Sequence, residues 1–266
     1  MVINLTIEKS FDLDKTLDCG QCFRWYKKSD TWFGVVSGNL TKVKIENNFL
    51  QIESEITNKK FWRSYFDLEF DYEKLIPYFS KFGSVLIKAV SENRGIHILN
   101  QNPWETLCSF IISQNNNIPR IKSIINRFCE NFGEKLGGIY SFPDYKLIAK
   151  LKIEDLEPIK AGFRSKYIID AARKIFNLEV DFEKIKTMNT CDALCALQKI
   201  NGVGPKVAAC TMLYGFHRFD CFPVDVWIKK VIEKYFKNLD VDFGKYRGLI
   251  QIYLFNWSRS HPELFK

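Results

Sequence analysis

Along the first 66 residues, apolar and polar positions alternate in short runs, at 2–7, 23–26, 32–36, 40–45 and 49–52. A period of two places alternate side chains on opposite faces of a strand, so this region is predicted to form an antiparallel sheet with one face covered. Asn47-Asn48 suits a tight hairpin between the last two runs, because asparagine tolerates the left-handed region. From Asp71 the period changes. Tyr72, Leu75, Ile76 and Phe79, then Val85, Leu86, Ala89 and Val90, follow helical spacing. Asn102-Pro103-Trp104-Glu105 offers an N-cap, a proline at the first helical position and a glutamate at the third, a start resembling a capping box. That helix is predicted to run to Ser113 and to stop at the turn-forming Asn115-Asn116-Asn117. Further helices are predicted over 121–132, 143–151, 168–176, 190–199, 226–235 and 245–257. The fold class is therefore α+β. A β-rich N-terminal domain with trailing helices spans residues 1–100, and a mostly helical domain spans 101–266.

The most informative stretch is 200–227, INGVGPKVAACTMLYGFHRFDCFPVDVW. Gly202-Val203-Gly204 makes a turn in which glycine allows positive φ and close backbone approach. The helix that follows has free N–H groups at its start, which suit a phosphate oxygen. Lys206 lies in its first turn, where the positive helix end disfavours the ammonium form and suits an amine nucleophile. Asp225 stands where the next helix needs an N-cap, and its carboxylate is expected to stay ionised there. A lone glycine turn would be an ordinary helix-turn-helix. Here a phosphate grip, an amine and a carboxylate occupy one short unit.

Composition narrows the partners. The chain has 266 residues, 46% hydrophobic and 26% charged, a globular composition with ample core. Its net charge of +8 favours an anionic partner, nucleic acid first, although spread lysines are also compatible with a solvated surface. The N-terminal MVINLTIEKSF lacks the pattern of a secretory signal, and no apolar run reaches membrane-spanning length. The eight cysteines are therefore expected to be reduced thiols in a cytosolic setting. Cys19/Cys22 and Cys191/Cys195 could be metal half-sites but lack a matching second half, so buried thiols are the simpler reading.

The 200–227 block resembles the helix-hairpin-helix and Gly/Pro–Asp (HhH-GPD) signature of base-excision DNA glycosylases. Other segments extend the resemblance to the 8-oxoguanine DNA glycosylase/AP lyases of that superfamily: CGQCFRW at 19–25, SQNNNIPRI at 113–121, AGFRSKY at 161–167 and the pair Gln251 and Phe255. The resemblance implies roles for each. Gly20 would offer its carbonyl to N7–H of the oxidised base, a donor that normal guanine lacks. Asn115 would fill the space of the flipped base. Arg120 and Arg164 would read the orphaned cytosine, and Phe163, replacing the usual tyrosine, would wedge into the duplex. Gln251 would face the Watson–Crick edge, between Phe255 stacked on one side of the base and Cys210 on the other. Gly202 and Gly204 would grip the backbone.

Lys206 would attack C1′ and Asp225 would stabilise the cationic sugar, giving a Schiff base and β-elimination. No redox cofactor or catalytic metal is expected. A monovalent cation on hairpin carbonyls near Ile200 and Val203 is implied. No cysteine follows Cys221, so the iron–sulfur loop of some relatives is not expected. The expected partner is duplex DNA carrying 8-oxoguanine, bound by a monomer, in the cytoplasm of a prokaryote or the nucleus of a eukaryote. A monofunctional glycosylase for alkylated bases and a non-enzymatic DNA-binding module are the alternatives; Lys206 argues against the first, and the shared face of Gln251 and Phe255 against the second. Two positions depart from the family pattern: Trp227 replaces a histidine, and Ser258 an acidic residue.

Overall fold

The computed structural model describes residues 1–236 and 242–265. Five antiparallel strands, β1 (Val2–Thr6), β2 (Tyr26–Lys28), β3 (Thr31–Val36), β4 (Asn39–Glu46) and β5 (Phe49–Glu53), form one sheet in the order β1-β5-β4-β3-β2. Glu46 pairs with Phe49 across Asn47 and Asn48, which take φ values of 50° and 63°. This is the mirror-image turn whose twist matches that of the strands. Ser37 and Gly38, at φ 48° and 76°, turn the chain likewise between β3 and β4.

Two helices interrupt the region expected to be β-rich. In α1 (Leu13–Asp18), the Asp12 side chain accepts from the Lys15 N–H. In α2 (Lys59–Tyr65), Asn58 accepts from the N–H groups of Lys60 and Phe61. Ile3, Leu5, Trp32, Val43, Leu50 and Ile52 of the sheet share one core with Leu13 and Leu17 of α1 and Trp62 and Tyr65 of α2. Of the alternating run 23–26, only Tyr26 joins a strand, β2. Cys19 and Phe23 point into the larger, helical core, while Cys22 and Trp25 point into the smaller one. The alternation there marks a segment threaded along the seam between two cores.

The trailing helices α3 (Ile76–Phe79) and α4 (Ser84–Glu92) bury Phe79, Val85, Leu86, Ala89 and Val90 in the larger core. That core is built by α5 (Pro103–Ser113), α6 (Ile118–Phe132), a short hairpin of β6 (Lys135–Leu136) and β7 (Ile139–Tyr140), α7 (Tyr145–Ile148), α8 (Arg164–Phe176), α9 (Phe182–Thr187), α10 (Thr190–Leu197), α11 (Pro205–Gly215), α12 (Val226–Val231) and α13 (Arg247–Ser260). α7 is shorter than the predicted 143–151: Arg173 reaches in and bonds the Ala149 and Leu151 carbonyls, which ends the helix. The helix predicted over 226–235 is α-helical only to Val231 and continues as a wider π turn over Ile232–Phe236.

At the centre lie α5 and α11. Leu107, Cys108, Ile111 and Ile112 on one, and Ala208, Met212 and Leu213 on the other, are fully buried. Each buried leucine or isoleucine contributes about 1.5–3 kcal/mol. The two helices meet closely where Gly215 passes Pro103: a Cβ at Gly215 would stand 3.0 Å from the proline Cα.

Candidate active site and nucleic-acid interface

Lys206, Cys210 and Tyr214 are four and eight residues apart, so they form one stripe on α11. Phe110 and Ser113 on α5 meet that stripe. The Lys206 Nζ donates to Ser113 Oγ at 3.3 Å and stands 4.8 Å from the Phe110 ring centroid. Ser113 in turn donates its own proton to the Phe110 carbonyl at 2.8 Å, which leaves its oxygen lone pairs for the amine. The Phe110 ring stacks on Tyr214, with centroids 5.5 Å apart and planes 19° from parallel. Burial pushes the Cys210 thiol up to about 11, against the lowering effect of nearby Lys206. Cys210 therefore presents a neutral thiol wall.

Asp225 caps α12, accepting from the Ile228 N–H at 2.8 Å. Burial raises its carboxyl above the usual carboxylate value, partly offset by that cap bond and by the charges of Lys206 and Arg259. The cap position predicts that this carboxylate stays ionised; burial works against that, as the larger effect. Lys206 and Asp225 lie close enough for their charges to act on each other.

α13 supplies the opposite wall. Gln251 is buried and its Oε1 accepts from Tyr214 Oη at 3.2 Å. Phe255, one turn later, lies against Gly20: a Cβ on that glycine would be 3.3 Å from the ring. Gly20 takes φ +86°, and its neighbour Gln21 fixes the loop. The fully buried Gln21 amide donates to the carbonyls of Thr16 and His97, both at 2.8 Å, and accepts from the Leu99 N–H at 2.9 Å.

Sequence reasoning missed Ser113, Tyr214 and Arg259. The Arg259 guanidinium stands 5.2 Å from the Phe255 ring centroid, beside Gly20, and its charge reaches Asp225. Only the spacing of Tyr214 from Lys206 gave a sequence signal; the other two become visible only when three helices are brought together.

The outer residues divide into two groups. Asn115, at φ 49°, and Arg120 are exposed, and Phe163 is 51% exposed at the start of α8. Arg164, expected beside Arg120 as a second reader, is buried instead. Its guanidinium donates to the carbonyls of Gln114, Ala161 and Asn115. Arg164 is thus a brace for the Asn115 loop. Burial, then the charge of Arg120, lowers it below the usual arginine value.

On the hairpin, Gly202 has φ +78°, and a Cβ there would meet the Tyr167 ring at 2.3 Å. Gly204 departs from expectation: its φ is −91°, and the space around it is open. Gly202→Ala should therefore destabilise the fold by roughly 2–4 kcal/mol through strain and overlap. Gly204→Ala should melt near wild type yet bind duplex DNA more weakly if, as the sequence reading implies, a phosphate approaches that open side. Thermal melting and fluorescence anisotropy on both variants check this; equal melting losses would refute the distinction.

The two departures from the family pattern are each held by neighbouring groups. Ser258 is buried and donates to the Phe255 carbonyl. Trp227 sets its edge against Phe265, with Lys230 over its ring. Cys19 and Cys22 donate to the carbonyls of Thr16 and Leu17 and are buried, while Cys191 and Cys195 are exposed. Among the described residues, no group of three or more His, Cys, Asp or Glu side chains could hold a metal, and no helix is long and apolar enough to cross a membrane.

Residues 2–107 match the family described as 8-oxoguanine DNA glycosylase, N-terminal domain, and residues 108–242 match the HhH-GPD superfamily base excision DNA repair protein. The chain is 38% identical over 157 residues to the N-glycosylase/DNA lyase of Saccharomyces cerevisiae, covering 53% of this chain and 42% of the yeast protein. It is 29% identical over 229 residues to the probable N-glycosylase/DNA lyase of Methanothermobacter thermautotrophicus, covering 73% and 72%. The matched region thus spans less than half the length of the yeast relative. Among solved structures, the 8-oxoguanine glycosylase/lyase of Clostridium acetobutylicum, bound to duplex DNA with cytosine opposite 8-oxoguanine, superposes with a TM-score of 0.89 at 34% identity, covering 98% of both chains. The 3-methyladenine DNA glycosylase of Archaeoglobus fulgidus shares the fold, with a TM-score of 0.77 at 17% identity, covering 97% and 98%. With an amine and a carboxylate set on a hairpin unit, and both halves of its length matched, the chain belongs to the HhH-GPD superfamily of base excision DNA repair proteins.

Proposed function

We propose that the protein is a bifunctional DNA glycosylase that removes 8-oxoguanine from duplex DNA, preferably opposite cytosine, and then nicks the strand. The observation that carries this reading is the amine of Lys206 held within electrostatic reach of Asp225, on the same helix as Tyr214, which hydrogen-bonds Gln251.

The target nucleotide is extruded, since base chemistry cannot proceed inside the stack. Lys206 attacks C1′ as the free amine, the C1′–N9 bond breaks, and the base leaves with a proton. The C1′–O4′ bond then opens, O4′ taking the proton from the C1′ amine, and the Schiff base that results acidifies C2′–H; loss of that proton expels the 3′ phosphate. Gly20 accepts from N7–H of the lesion, Phe255 and the neutral Cys210 thiol flank the ring, and Gln251 meets the Watson–Crick edge. Asn115 fills the vacated space and Phe163 wedges the duplex. These steps use an amine and a carboxylate and no redox group. A monovalent cation suits the hairpin, where the Ile200 carbonyl accepts from the Val203 N–H at 3.0 Å and keeps a second lone pair.

Borohydride reduction during incubation with an 8-oxoguanine:cytosine duplex tests the reading. A covalent protein–DNA adduct is expected; neither adduct nor base release would overturn it.

Opposite-base preference is assigned to Arg120, which is exposed, whereas Arg164 is committed to carbonyls. A guanidinium can donate to cytosine O2 and N3 once the lesion leaves the stack. Adenine puts an amino donor on that edge and leaves the arginine partly unpaired, at a cost of about 1–3 kcal/mol. Arg120→Ala should lose more single-turnover rate opposite cytosine than opposite adenine. An equal loss would mean that Arg120 grips phosphate.

A further inference from the structure

We propose that Tyr214 is a positioning residue that locks the Gln251 amide in one orientation, so that the pocket selects a guanine-type over an adenine-type Watson–Crick edge. This rests on the glycosylase reading above. A glutamine amide carries a carbonyl acceptor on one side and an NH2 donor on the other. Rotated by half a turn it exchanges the two. Guanine's edge presents O6 as acceptor with N1–H and N2–H as donors, while adenine presents an N6 amino donor and an N1 acceptor. A freely rotating glutamine therefore serves either base, and a fixed one serves only one pattern.

In this protein the amide is tied. Gln251 Oε1 accepts from Tyr214 Oη at 3.2 Å, and among the described residues this is the only hydrogen bond of that hydroxyl. Tyr214 is 3% exposed, so water does not replace the partner. The ring cannot swing away, because Phe110 stacks on its face. Burial also keeps the phenol protonated, well above its ordinary range. A flipped amide would set Nε2 against this hydroxyl and strand a buried proton, which disfavours the flip. Tyr214 lies two helical turns beyond Lys206 on the same face of α11, so the helix that carries the nucleophile also sets the base-reading group.

8-Oxoguanine and 8-oxoadenine share N7–H and the C8 oxygen and differ at the Watson–Crick edge, which makes them the discriminating pair. Single-turnover excision of each is measured from duplexes that are otherwise identical, with wild type, Tyr214→Phe, Gln251→Ala and the double variant. Tyr214→Phe keeps the stacked ring, so the fold should persist, with a melting temperature only a few degrees lower through the lost hydrogen bond. The preference for 8-oxoguanine should narrow about tenfold, the scale of one lost buried hydrogen bond. In the Gln251→Ala background, Tyr214→Phe should cause no further narrowing, because its effect passes through the amide. Equal slowing on both bases, or a full additional effect in the double variant, would overturn the proposal. Wild type that releases neither base would remove the glycosylase reading itself, a different result from either of these.

Discussion

Lys206→Gln is expected to abolish both base release and borohydride trapping while leaving duplex affinity nearly intact. In the proposed reaction the amine forms the new bond to C1′, so its loss removes the covalent route rather than weakening it, and a rate loss on the order of 10³-fold or more is expected. Lys206 is half-buried, held by Ser113 and the Phe110 ring. Glutamine is of similar length and uncharged, so α11 and its packing should persist. The hairpin N–H groups, which the proposed function uses to grip phosphate, belong to the backbone and survive the substitution. Gel-shift affinity together with trapping on the same duplex checks both halves. Strand cleavage by the variant at the wild-type rate would remove Lys206 from the mechanism.

Asp225→Asn should lower the rate by about 10²–10³-fold, the scale of one charge removed from a developing cation in a dry site. Its effect on stability should have the opposite sign. Asparagine caps helices as well as aspartate does, so α12 keeps the bond to the Ile228 N–H. Burial raises the Asp225 carboxyl in the fold, which means the folded state favours the protonated form more than the unfolded chain does. The cost of holding the ionised form is therefore complete above the folded pKa and vanishes as pH falls through the unfolded one. Near neutral pH the variant should melt at or above wild type, and the difference should disappear in acid. A marked loss of melting temperature at pH 7 would show that the carboxylate is structural.

Local signals in the sequence described some of this site well. Asn102 caps α5, accepting from the Trp104 and Glu105 N–H groups, although Glu105 turns to Arg24 instead of closing a capping box, and Asn47-Asn48 makes the expected turn. Asp225 caps α12 because capping is settled within four residues. The failures are long-range. The run 23–26 alternates because it divides its side chains between two cores, a pattern that sequence cannot separate from a strand with two faces. α1 and α2 are six and seven residues long, too short for a helical period to outweigh the surrounding alternation. Arg164 was read by its motif as a DNA contact, yet its nearest acceptors are the carbonyls of a loop fifty residues away. Ser113 becomes a partner of the amine only when α5 and α11 lie side by side.

The Gly20 loop has a consequence for how this protein can vary. If lesion recognition resides in the Gly20 carbonyl, then it resides in an atom that no substitution can alter, since every residue has one. Position 20 itself is nearly closed to change, with φ +86° and the Phe255 ring 3.3 Å from any Cβ. What sets that carbonyl in place is spelled elsewhere: in the Gln21 amide, and in the Thr16, His97 and Leu99 backbone groups it binds. Drift in damage specificity would therefore be written in residues that never touch the base. A mutational scan restricted to groups in contact with DNA would pass over them.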